Sequence, residues 1–486
     1  KIRVVLAVTV LFFLTFFLVD FAGLLPSGFR RLTQIQLVPA LLALNGLVIA
    51  FLLLLTLLFG RVYCSVICPL GIFQDIVARI SRFFHKKKKE RYRPPRNVLR
   101  YILLGTILIA FFSGFAFLLV LTDPYSIYAR GTIHFFKPAY LAGNNLLTRI
   151  SEALGNYRFY HLDAAPSGLP VLAIAFVSLL LVSWLAWKYS RLYCNTICPV
   201  GTLLGTLSRY SLFKIRFRED SCNGCGLCAK HCKNSCIDSQ THTVDHSRCV
   251  VCFDCLDACQ KKAVSYTYRH AKTKPAPDKS RRTFLLTTGL SAAALPQAKA
   301  RQIEAVLTGR KAIKKEHPLS PPGAVSTSRL LRHCTGCHLC VSKCPSRVLI
   351  PAFGEYGPSG MLMPRMSFEK GFCNFSCTAC SEICPAGALL PLTKEEKHTT
   401  QVGQAIFIID NCIVYTNGTS CGACSEHCPT QAVSMTPYRD GLTIPVTHPD
   451  LCIGCGGCEY VCPARPFKAI YVEGLPVHRR ALPIRE

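Results

Sequence analysis

Residues 61–71 read RVYCSVICPLG, and the pattern returns at residues 191–201 as RLYCNTICPVG. The copies are identical at seven of eleven positions, including the arginine, the tyrosine, both cysteines and the proline. Each copy follows a long apolar stretch, so the repeat predicts two related helical hairpins that meet at one membrane edge. The two cysteines of each copy are spaced i and i+4, which places them on one face of a helical turn. Pro69 and Pro199 are expected to break or restart the helix.

Four apolar stretches around these repeats are long enough to cross a bilayer as helices. They are about Val4–Val19, Val38–Phe59, Tyr101–Leu121 and Leu169–Trp187. The chain of 486 residues is 50% hydrophobic, with a mean hydropathy of +0.30, which is too apolar for a wholly soluble protein. We therefore expect a four-helix membrane domain over residues 1–213, here called the helical domain.

The basic residues indicate the orientation of these helices. The connection over residues 61–100 carries eleven Lys and Arg, whereas the long loop over residues 122–168 carries four. By the positive-inside rule the first connection is cytoplasmic, and so is the N-terminus. The net charge of +29 does not predict a nucleic-acid partner, because many of the basic residues lie in runs beside apolar segments without interleaved aromatic residues.

The 29 cysteines fall in tight groups that are typical of metal thiolates rather than of a disulfide framework. Two groups have the C-x2-C-x2-C-x3-C spacing of two-cluster ferredoxins, in which each fourth cysteine crosses to the other [4Fe–4S] cluster. The predicted ligand sets are Cys222, Cys225, Cys228 and Cys259, and Cys249, Cys252, Cys255 and Cys232. Zinc is the alternative, but four evenly spaced cysteines repeated as a unit favour iron–sulfur. Cys236 is left over and is interpreted as a spare thiol.

Four more groups follow in residues 328–486, and every one ends in Cys-Pro. They are Cys334, Cys337, Cys340 and Cys344; Cys373, Cys377, Cys380 and Cys384; Cys412, Cys421, Cys424 and Cys428; and Cys452, Cys455, Cys458 and Cys462. Short apolar segments such as Ala405–Ile409 and Ile470–Val472 predict small strands in a ferredoxin-like α+β fold. The neighbouring His333 and His338 are interpreted as solvated surface residues, because the thiolates complete each set.

The segment Ser280–Ala300, SRRTFLLTTGLSAAALPQAKA, resembles a twin-arginine export signal. Arg281 and Arg282 precede a short apolar run and an Ala-x-Ala ending. The alternative is a basic linker followed by a short helix. As a signal, it separates a cytoplasmic side from an exported side that carries the last 16 cysteines. Pro318 to Pro322 are interpreted as part of the linker that follows.

The repeats leave four cysteines that none of the six groups uses. Cys64, Cys68, Cys194 and Cys198, here called the CxxxCP site, have the ligand count of a seventh [4Fe–4S] cluster. Arg61 and Arg191 are expected to offset the negative charge of such a cluster near lipid. Two disulfides or structural thiols are the alternatives, although a reducing cytoplasm disfavours persistent disulfides.

The repeats on a four-span domain, followed by a two-cluster ferredoxin, resemble the NapH-like membrane polyferredoxin of the periplasmic nitrate reductase system. The twin-arginine stretch and the four later groups, with the long gap from Cys412 to Cys421, resemble its NapG-like exported partner. This resemblance implies that the chain oxidises menaquinol and passes electrons to a periplasmic multihaem cytochrome c or reductase in anaerobic respiration. Because the two subunits are fused here, the export signal is expected to remain as a fifth, anchoring span.

These observations predict a quinol-dehydrogenase-type electron-transfer subunit of the bacterial inner membrane. The domains are the helical domain (1–213), a first ferredoxin domain (214–272) in the cytoplasm, a linker with the anchor (273–327) and a second ferredoxin domain (328–486) in the periplasm. No haem-attachment or dinucleotide motif is visible, so the chain is expected to be a relay rather than a terminal reductase. A polyferredoxin for cofactor maturation or metal reduction, or a relay from soluble ferredoxin, are the alternatives.

Residues for quinol deprotonation are hard to choose from the sequence. Those predicted at or beyond the outer membrane edge are Asp20, Asp123, His134, His161 and Asp163. Each is interpreted as an ordinary loop residue.

Overall fold

The structure of the protein is a computed structural model. It describes residues 2–20, 25–84, 92–157, 159–162, 168–218, 221–268, 311, 313 and 315–483. The twin-arginine stretch Ser280–Ala300 lies outside the described residues. The described part combines one helical domain with two cysteine-rich domains that contain short strands.

The helical domain is built from helices that are broken at several points. They are α1 (Ile2–Val19), α2 (Arg31–Gln34), α3 (Leu37–Leu42), α4 (Gly46–Phe59), α5 (Tyr63–Val66), α6 (Pro69–Phe84), α7 (Asn97–Phe112), α8 (Phe117–Thr122), α9 (Pro124–Gly131), a π-helical turn (Thr132–Phe136), α10 (Lys137–Ala153), α11 (Leu169–Tyr189), α12 (Leu192–Thr196) and α13 (Pro199–Ser208).

Two of the four predicted spans are single helices long and apolar enough to cross a membrane. These are α1 and α11. The prediction of four unbroken spans is wrong for the other two. The second span is divided into α3 and α4 where Asn45 caps the new helix by accepting a hydrogen bond from Val48 N at 3.3 Å. The third is divided into α7 and α8 beside Gly114, which has a φ of 84°.

The two sequence repeats fold in the same way, as their matching residues predicted. Each forms a single helical turn, α5 or α12, followed by a helix that begins at the repeated proline, Pro69 or Pro199. The repeated glycine has a steric reason. A Cβ atom at Gly71 would overlap the carbonyl oxygen of Cys64, and one at Gly201 would overlap that of Cys194.

The first ferredoxin domain contains two small antiparallel sheets. Strand β1 (Phe213–Phe217) pairs with β4 (Val264–Tyr268), and β2 (Ile237–Asp238) pairs with β3 (Thr243–Val244). Two short helices, α14 (Leu227–Lys230) and α15 (Asp254–Asp257), contain one cysteine each.

The second ferredoxin domain has three two-stranded antiparallel sheets in its described part. They pair β5 (Leu349–Pro351) with β6 (Pro364–Met366), β7 (Thr400–Phe407) with β10 (Ile470–Arg480), and β8 (Val433–Pro437) with β9 (Thr443–Thr447). Its helices are α16 (Thr327–His333), α17 (Leu339–Ser342), α18 (Ala379–Ile383), α19 (Lys394–Thr399), α20 (Ile413–Asn417), α21 (Ala423–Glu426) and α22 (Gly457–Val461). The predicted strands are confirmed, because Val472 pairs with Ala405.

The interpretation of Pro318–Pro322 as a linker is wrong. Leu319 is buried in the core of the second ferredoxin domain, and its carbonyl oxygen accepts a hydrogen bond from Met366 N at 2.9 Å. The packed part of this domain therefore begins before residue 328.

The two ferredoxin domains contact opposite ends of α1. Near its N-terminus, Arg3 lies 3.8 Å from Asp254 of the first ferredoxin domain. Near its C-terminus, the carbonyl oxygen of Leu18 accepts a hydrogen bond from Ser342 Oγ of the second ferredoxin domain at 3.3 Å. The helical domain therefore lies between the two cysteine-rich domains.

Candidate metal centres

The cysteines of the first ferredoxin domain come together in the crossed sets that the sequence predicted. Cys222, Cys225, Cys228 and Cys259 line one cavity. The thiol of Cys255 is close enough to those of Cys249, Cys252 and Cys232, the members of the other set, for their charges to interact. Cys236 is buried against this second set, with its Sγ 3.5 Å from Cys232 Sγ.

The four groups of the second ferredoxin domain also exchange their last cysteines. Three cavities are lined by the sets Cys334, Cys337, Cys340 and Cys384 (the Cys334 site), Cys344, Cys373, Cys377 and Cys380 (the Cys344 site), and Cys412, Cys421, Cys424 and Cys462. Cys458 lies within electrostatic reach of Cys455, Cys452 and Cys428, which completes the fourth set. The spatial sets thus differ from the groups that are continuous in the sequence.

Each spatial set fits a [4Fe–4S] cluster by its chemistry. In the four sets that line a cavity, the thiols face a largely apolar space. Across the six sets, backbone N–H groups donate to several of the sulfurs. The donors include Ala432 N to Cys428 Sγ at 3.1 Å, Ala263 N to Cys259 Sγ at 3.2 Å and Ala469 N to Cys462 Sγ at 3.3 Å. Among the described residues, no group of three or more His, Cys, Asp or Glu side chains has the close spacing that binds a single metal ion.

The CxxxCP site is formed where the two repeats meet. Its four cysteines are buried, each with 2–3% of its surface exposed, and Cys198 lies within electrostatic reach of the other three. The contact is reciprocal. Arg191 Nη1 donates to the carbonyl oxygen of Cys64 at 2.7 Å, and Arg61 Nη2 donates to that of Cys194 at 3.2 Å. The two copies are therefore joined by the arginines that the sequence repeats.

Two arginines beside the CxxxCP site are buried without an ion-pair partner in the described residues. Arg61 and Arg100 are each at most 1% exposed. Their hydrogen bonds go to the backbone and to uncharged side chains, and Arg61 Nη2 also lies 3.8 Å from Cys64 Sγ. A buried cation is costly unless it is compensated. Negatively charged thiolates at the CxxxCP site would supply that compensation.

Asp75 joins the repeats to the first ferredoxin domain through ion pairs. Its carboxylate accepts a hydrogen bond from Arg191 Nε at 2.7 Å, and lies 3.4 Å from Lys233 and 4.0 Å from Arg3. Burial alone would raise the pKa of Asp75, but Arg191, Lys233 and Arg3 together lower it from 3.8 to about 2. Asp75 is therefore ionised at neutral pH.

One helix face of the helical domain holds the loop that carries Cys337. Arg130, His134 and Lys137 lie on the same side, because all three contact the segment from Gly336 to Ser342. Arg130 Nη1 donates to the carbonyl oxygen of Gly336 at 3.2 Å, and Lys137 Nζ donates to Ser342 Oγ at 2.8 Å. The second ferredoxin domain is thereby fixed to the helices beside the Cys334 site.

Two interpretations of histidines from the sequence are wrong. His338 is 1% exposed rather than solvated, and its Nδ1 lies 2.7 Å from His134 Nε2. His134 is buried in the π-helical turn rather than in a loop. Their polarity suggested surface positions, and a prediction would have required knowledge that the two domains pack together. His333, which is half-buried, has its Nδ1 2.8 Å from the carbonyl oxygen of Leu42.

The remaining residues considered for quinol deprotonation do not form one group. Asp20 and Asp123 are buried, and Asp123 caps α9 by accepting a hydrogen bond from Ser126 N at 2.9 Å. His161 is exposed, and Asp163 lies outside the described residues.

Known protein families match both kinds of cysteine site. Residues 41–90 and 169–218 match a 4Fe-4S binding domain, and residues 419–465 match a 4Fe-4S dicluster domain. The first two matches contain the two halves of the CxxxCP site.

The methylamine utilization ferredoxin-type protein MauM of Methylorubrum extorquens is 33% identical over 198 residues, which are 38% of this chain and 86% of MauM. The chain belongs to the family of ferredoxin-type proteins that contains MauM. The ferredoxin-type protein NapH of Escherichia coli is 27% identical, over 48% of this chain and 70% of NapH. The putative electron transport protein YccM of Escherichia coli is 27% identical, over 53% of this chain and 64% of YccM. Members of the MauM family and these relatives identify the chain as a ferredoxin-type 4Fe-4S electron-transport protein.

Proposed function

We propose that the chain is a membrane-bound relay that takes electrons from menaquinol and delivers them to a periplasmic multihaem cytochrome c or reductase. The observation that carries this proposal is the position of the CxxxCP site between the two ferredoxin domains. We assign the six crossed cysteine sets to [4Fe–4S] clusters and the CxxxCP site to a seventh. The chain itself would then be a quinol-dehydrogenase-type subunit rather than a terminal reductase.

Contacts on both sides of the CxxxCP site support a continuous path. Toward the first ferredoxin domain, Arg61 Nη1 donates to the carbonyl oxygen of Ser247 at 3.0 Å, two residues before Cys249. Toward the second domain, Tyr193 lies within electrostatic reach of Cys198, and its hydroxyl donates to the carbonyl oxygen of Thr122 at 2.7 Å. Arg130 lies within electrostatic reach of both Tyr193 and Cys337. An intermediate site of this kind is needed, because a bilayer core of about 30 Å is too wide for clusters at its two edges alone.

The packing of the helices supports a four-span topology. The 18 residues of α1 extend about 27 Å, close to the thickness of a bilayer core. Helix α4 ends against the first ferredoxin domain, where Tyr266 donates to the carbonyl oxygen of Phe59. The turn before α4 contacts the second domain, where His333 Nδ1 lies 2.8 Å from the carbonyl oxygen of Leu42. We infer that α4 and α7 cross between the two ferredoxin domains, whereas the short helices α3 and α8 lie folded back toward the CxxxCP site. Leu37 N at the start of α3 donates to Tyr63 Oη, and Tyr193 Oη donates to the carbonyl oxygen of Thr122 at the end of α8. Such broken helices are tolerated where protein packs around them. The first ferredoxin domain is then cytoplasmic and the second periplasmic.

The seventh cluster is supported by charge and by family. Arg61 and Arg100 are buried cations without an ion pair in the described part of the chain, and both lie beside the CxxxCP site. The two segments that form the site each match a 4Fe-4S binding domain. Disulfides would leave no thiolate charge for these arginines.

The proposal that quinol is the electron donor rests on the resemblance to the NapH-like and NapG-like pair. It can be tested directly. A reduced menaquinol analogue is expected to bleach the visible absorbance of the purified, oxidised protein. If only reduced soluble ferredoxin or a metal ion exchanges electrons with the protein, a maturation or metal-reducing function replaces the proposed one.

The topology has its own test. Protease added to spheroplasts is expected to remove the second ferredoxin domain and to spare Cys222–Cys259. Replacing Arg281 and Arg282 by Lys is expected to keep the second domain inside, where protease does not reach it. Protection of both domains in the unaltered chain would contradict the proposed arrangement.

A further inference from the structure

A cavity lies between the helical domain and the first ferredoxin domain. Its volume is about 510 Å³, which is in the range of small-molecule sites. It is lined by Arg93, Pro94, Pro95, Arg96, Tyr189, Leu192, Asn195, Thr196, Asn234, Ser235 and Arg248. The charged residues in this lining are three arginines, so the cavity favours an anion.

One buried arginine in the cavity lining, Arg248, has a hydrogen-bond donor without a partner among the described residues. Arg248 is 5% exposed, and its Nη2 atom is the one that has no hydrogen-bond partner in the described part of the chain. The other nitrogens of Arg248 are held in place, because Nε donates to Asp245 at 2.6 Å and Nη1 donates to the carbonyl oxygen of Arg93 at 2.9 Å. A buried unpartnered guanidinium nitrogen is costly, so it points to a missing acceptor.

The mouth of the cavity lies at the end of an apolar helix. Tyr189 is the last residue of α11, and the guanidinium of Arg93 lies 4.5 Å from the centre of its ring. Arg96 directly precedes α7. Trp184 and Ile102 on these two helices are exposed large apolar residues, 56% and 47% respectively. Aromatic residues and arginines at helix ends mark the depth of lipid headgroups.

We propose that this cavity binds the phosphodiester of an anionic phospholipid, with the acyl chains along the exposed faces of α7 and α11. A lipid is favoured over free phosphate because the arginines lie beside apolar helix faces and because four consecutive lysines, Lys86–Lys89, precede them in the sequence. The proposal rests on the membrane placement proposed above, and not on the electron donor or the direction of electron flow.

The position of the site connects lipid binding to electron transfer. Asn195 follows Cys194, Asn234 lies between Cys232 and Cys236, and Arg248 precedes Cys249. A phosphate held by Arg248 places negative charge beside both the CxxxCP site and the second cysteine set of the first ferredoxin domain. Added negative charge disfavours reduction, so the bound lipid is expected to lower the reduction potentials of these two sites.

The test uses the full-length, iron-loaded protein, stripped of lipid in detergent and titrated with phosphatidylglycerol, phosphatidylcholine or inorganic phosphate. Native mass spectrometry counts the lipid molecules retained. The wild type is expected to retain phosphatidylglycerol in preference to phosphatidylcholine, and the double variant Arg93→Gln/Arg96→Gln is expected to bind it about thirtyfold more weakly. Arg209→Gln, at an exposed arginine outside the cavity, is expected to match the wild type.

Further readouts separate the possible failures. Midpoint potentials are expected to be lower in phosphatidylglycerol nanodiscs than in phosphatidylcholine nanodiscs for the wild type, and equal for the double variant. The single variant Arg96→Glu alters an exposed side chain and no buried one. It is expected to lose the lipid. Binding of inorganic phosphate that displaces the lipid, or equal retention by all variants, would overturn the proposal. Extraction of the protein from membranes by carbonate would instead overturn the membrane placement itself.

Discussion

His134 of the helical domain and His338 of the second ferredoxin domain lie in direct contact, with 2.7 Å between His134 Nε2 and His338 Nδ1. His338 Nε2 also lies 2.8 Å from the carbonyl oxygen of Leu362, so both ring nitrogens are engaged. Because His338 follows Cys337, this pair fixes a candidate cluster site to the helices. The two domains are therefore packed against each other and are not joined only by a chain segment.

Replacing His134 by Ala is expected to loosen this interface. The substitution leaves His338 Nδ1 buried without a partner, which costs about 1–3 kcal/mol. Limited proteolysis of the purified protein is expected to release the second ferredoxin domain faster than in the wild type. His161→Ala, at an exposed histidine of the same helical domain, serves as the matched control. Equal proteolysis rates in all three proteins would show that the histidine contact does not hold the domains together.

The spatial cysteine sets of the second ferredoxin domain predict a different pattern of iron loss from the groups that are continuous in the sequence. The single variants Cys334→Ser and Cys384→Ser are each expected to lose about four iron atoms, and the double variant no more than either single one. Cys334→Ser/Cys344→Ser is expected to lose about eight, because these cysteines belong to two sites. Iron analysis and cluster absorbance decide the matter. The opposite pattern, with the second pair losing only four, would assign the clusters to the continuous sequence groups.

Asp75→Asn is expected to destabilise the contact between the repeats and the first ferredoxin domain. Removing the carboxylate leaves Arg191, whose side chain is 0% exposed, without its counter-ion. Loss of one partner of a buried pair costs about 3 kcal/mol or more. The thermal unfolding midpoint is expected to fall, whereas Glu152→Gln, at an exposed position, leaves it unchanged. An unchanged midpoint for Asp75→Asn would contradict a stabilising role of the ion pair.

The pKa of Asp75 also sets the sign of its pH dependence. Its folded value of about 2 lies below the usual 3.8. The stabilisation is therefore fully present above about pH 4 and is lost as the pH falls toward 2. Asp75→Asn is expected to remove this part of the acid sensitivity, so the wild type and the variant should converge in stability at the acid end.

Much of the architecture was predictable because the cysteine spacing and the repeat are local signals. The repeat predicts that the halves of the CxxxCP site meet, and the ferredoxin spacing predicts crossed sets in residues 214–272. The structure brings these cysteines together, and their role as cluster ligands stays a prediction. The crossing in residues 328–486 was not predictable. The same spacing is compatible with a fourth cysteine that binds the cluster of its own sequence group and with one that binds the cluster of another group. The broken spans had a visible signal in the turn dipeptides Asn45-Gly46 and Ser113-Gly114. The burial of His338 had none, since it depends on a partner surface more than two hundred residues away.

The iron content tests whether the CxxxCP site holds a cluster. Seven clusters require about 28 iron atoms per chain and six require about 24. Serine at Cys64 and Cys194 is expected to remove about four. Cys236→Ser, at a buried cysteine outside the predicted ligand sets, is the control and is expected to leave the count unchanged. A count near 24 in the wild type and in the double variant would exclude the seventh cluster.

Electron transfer across a bilayer tests the central claim most directly. Vesicles containing the full-length protein are loaded with oxidised cytochrome c, and dithionite, which does not cross the membrane, is added outside. The wild type is expected to reduce the trapped cytochrome well above the rate of protein-free vesicles, and Cys68→Ser/Cys198→Ser is expected to lose this reduction while the six other clusters remain. Reduction at the protein-free rate by the wild type, or at an undiminished rate by the double variant, would contradict a relay through the CxxxCP site.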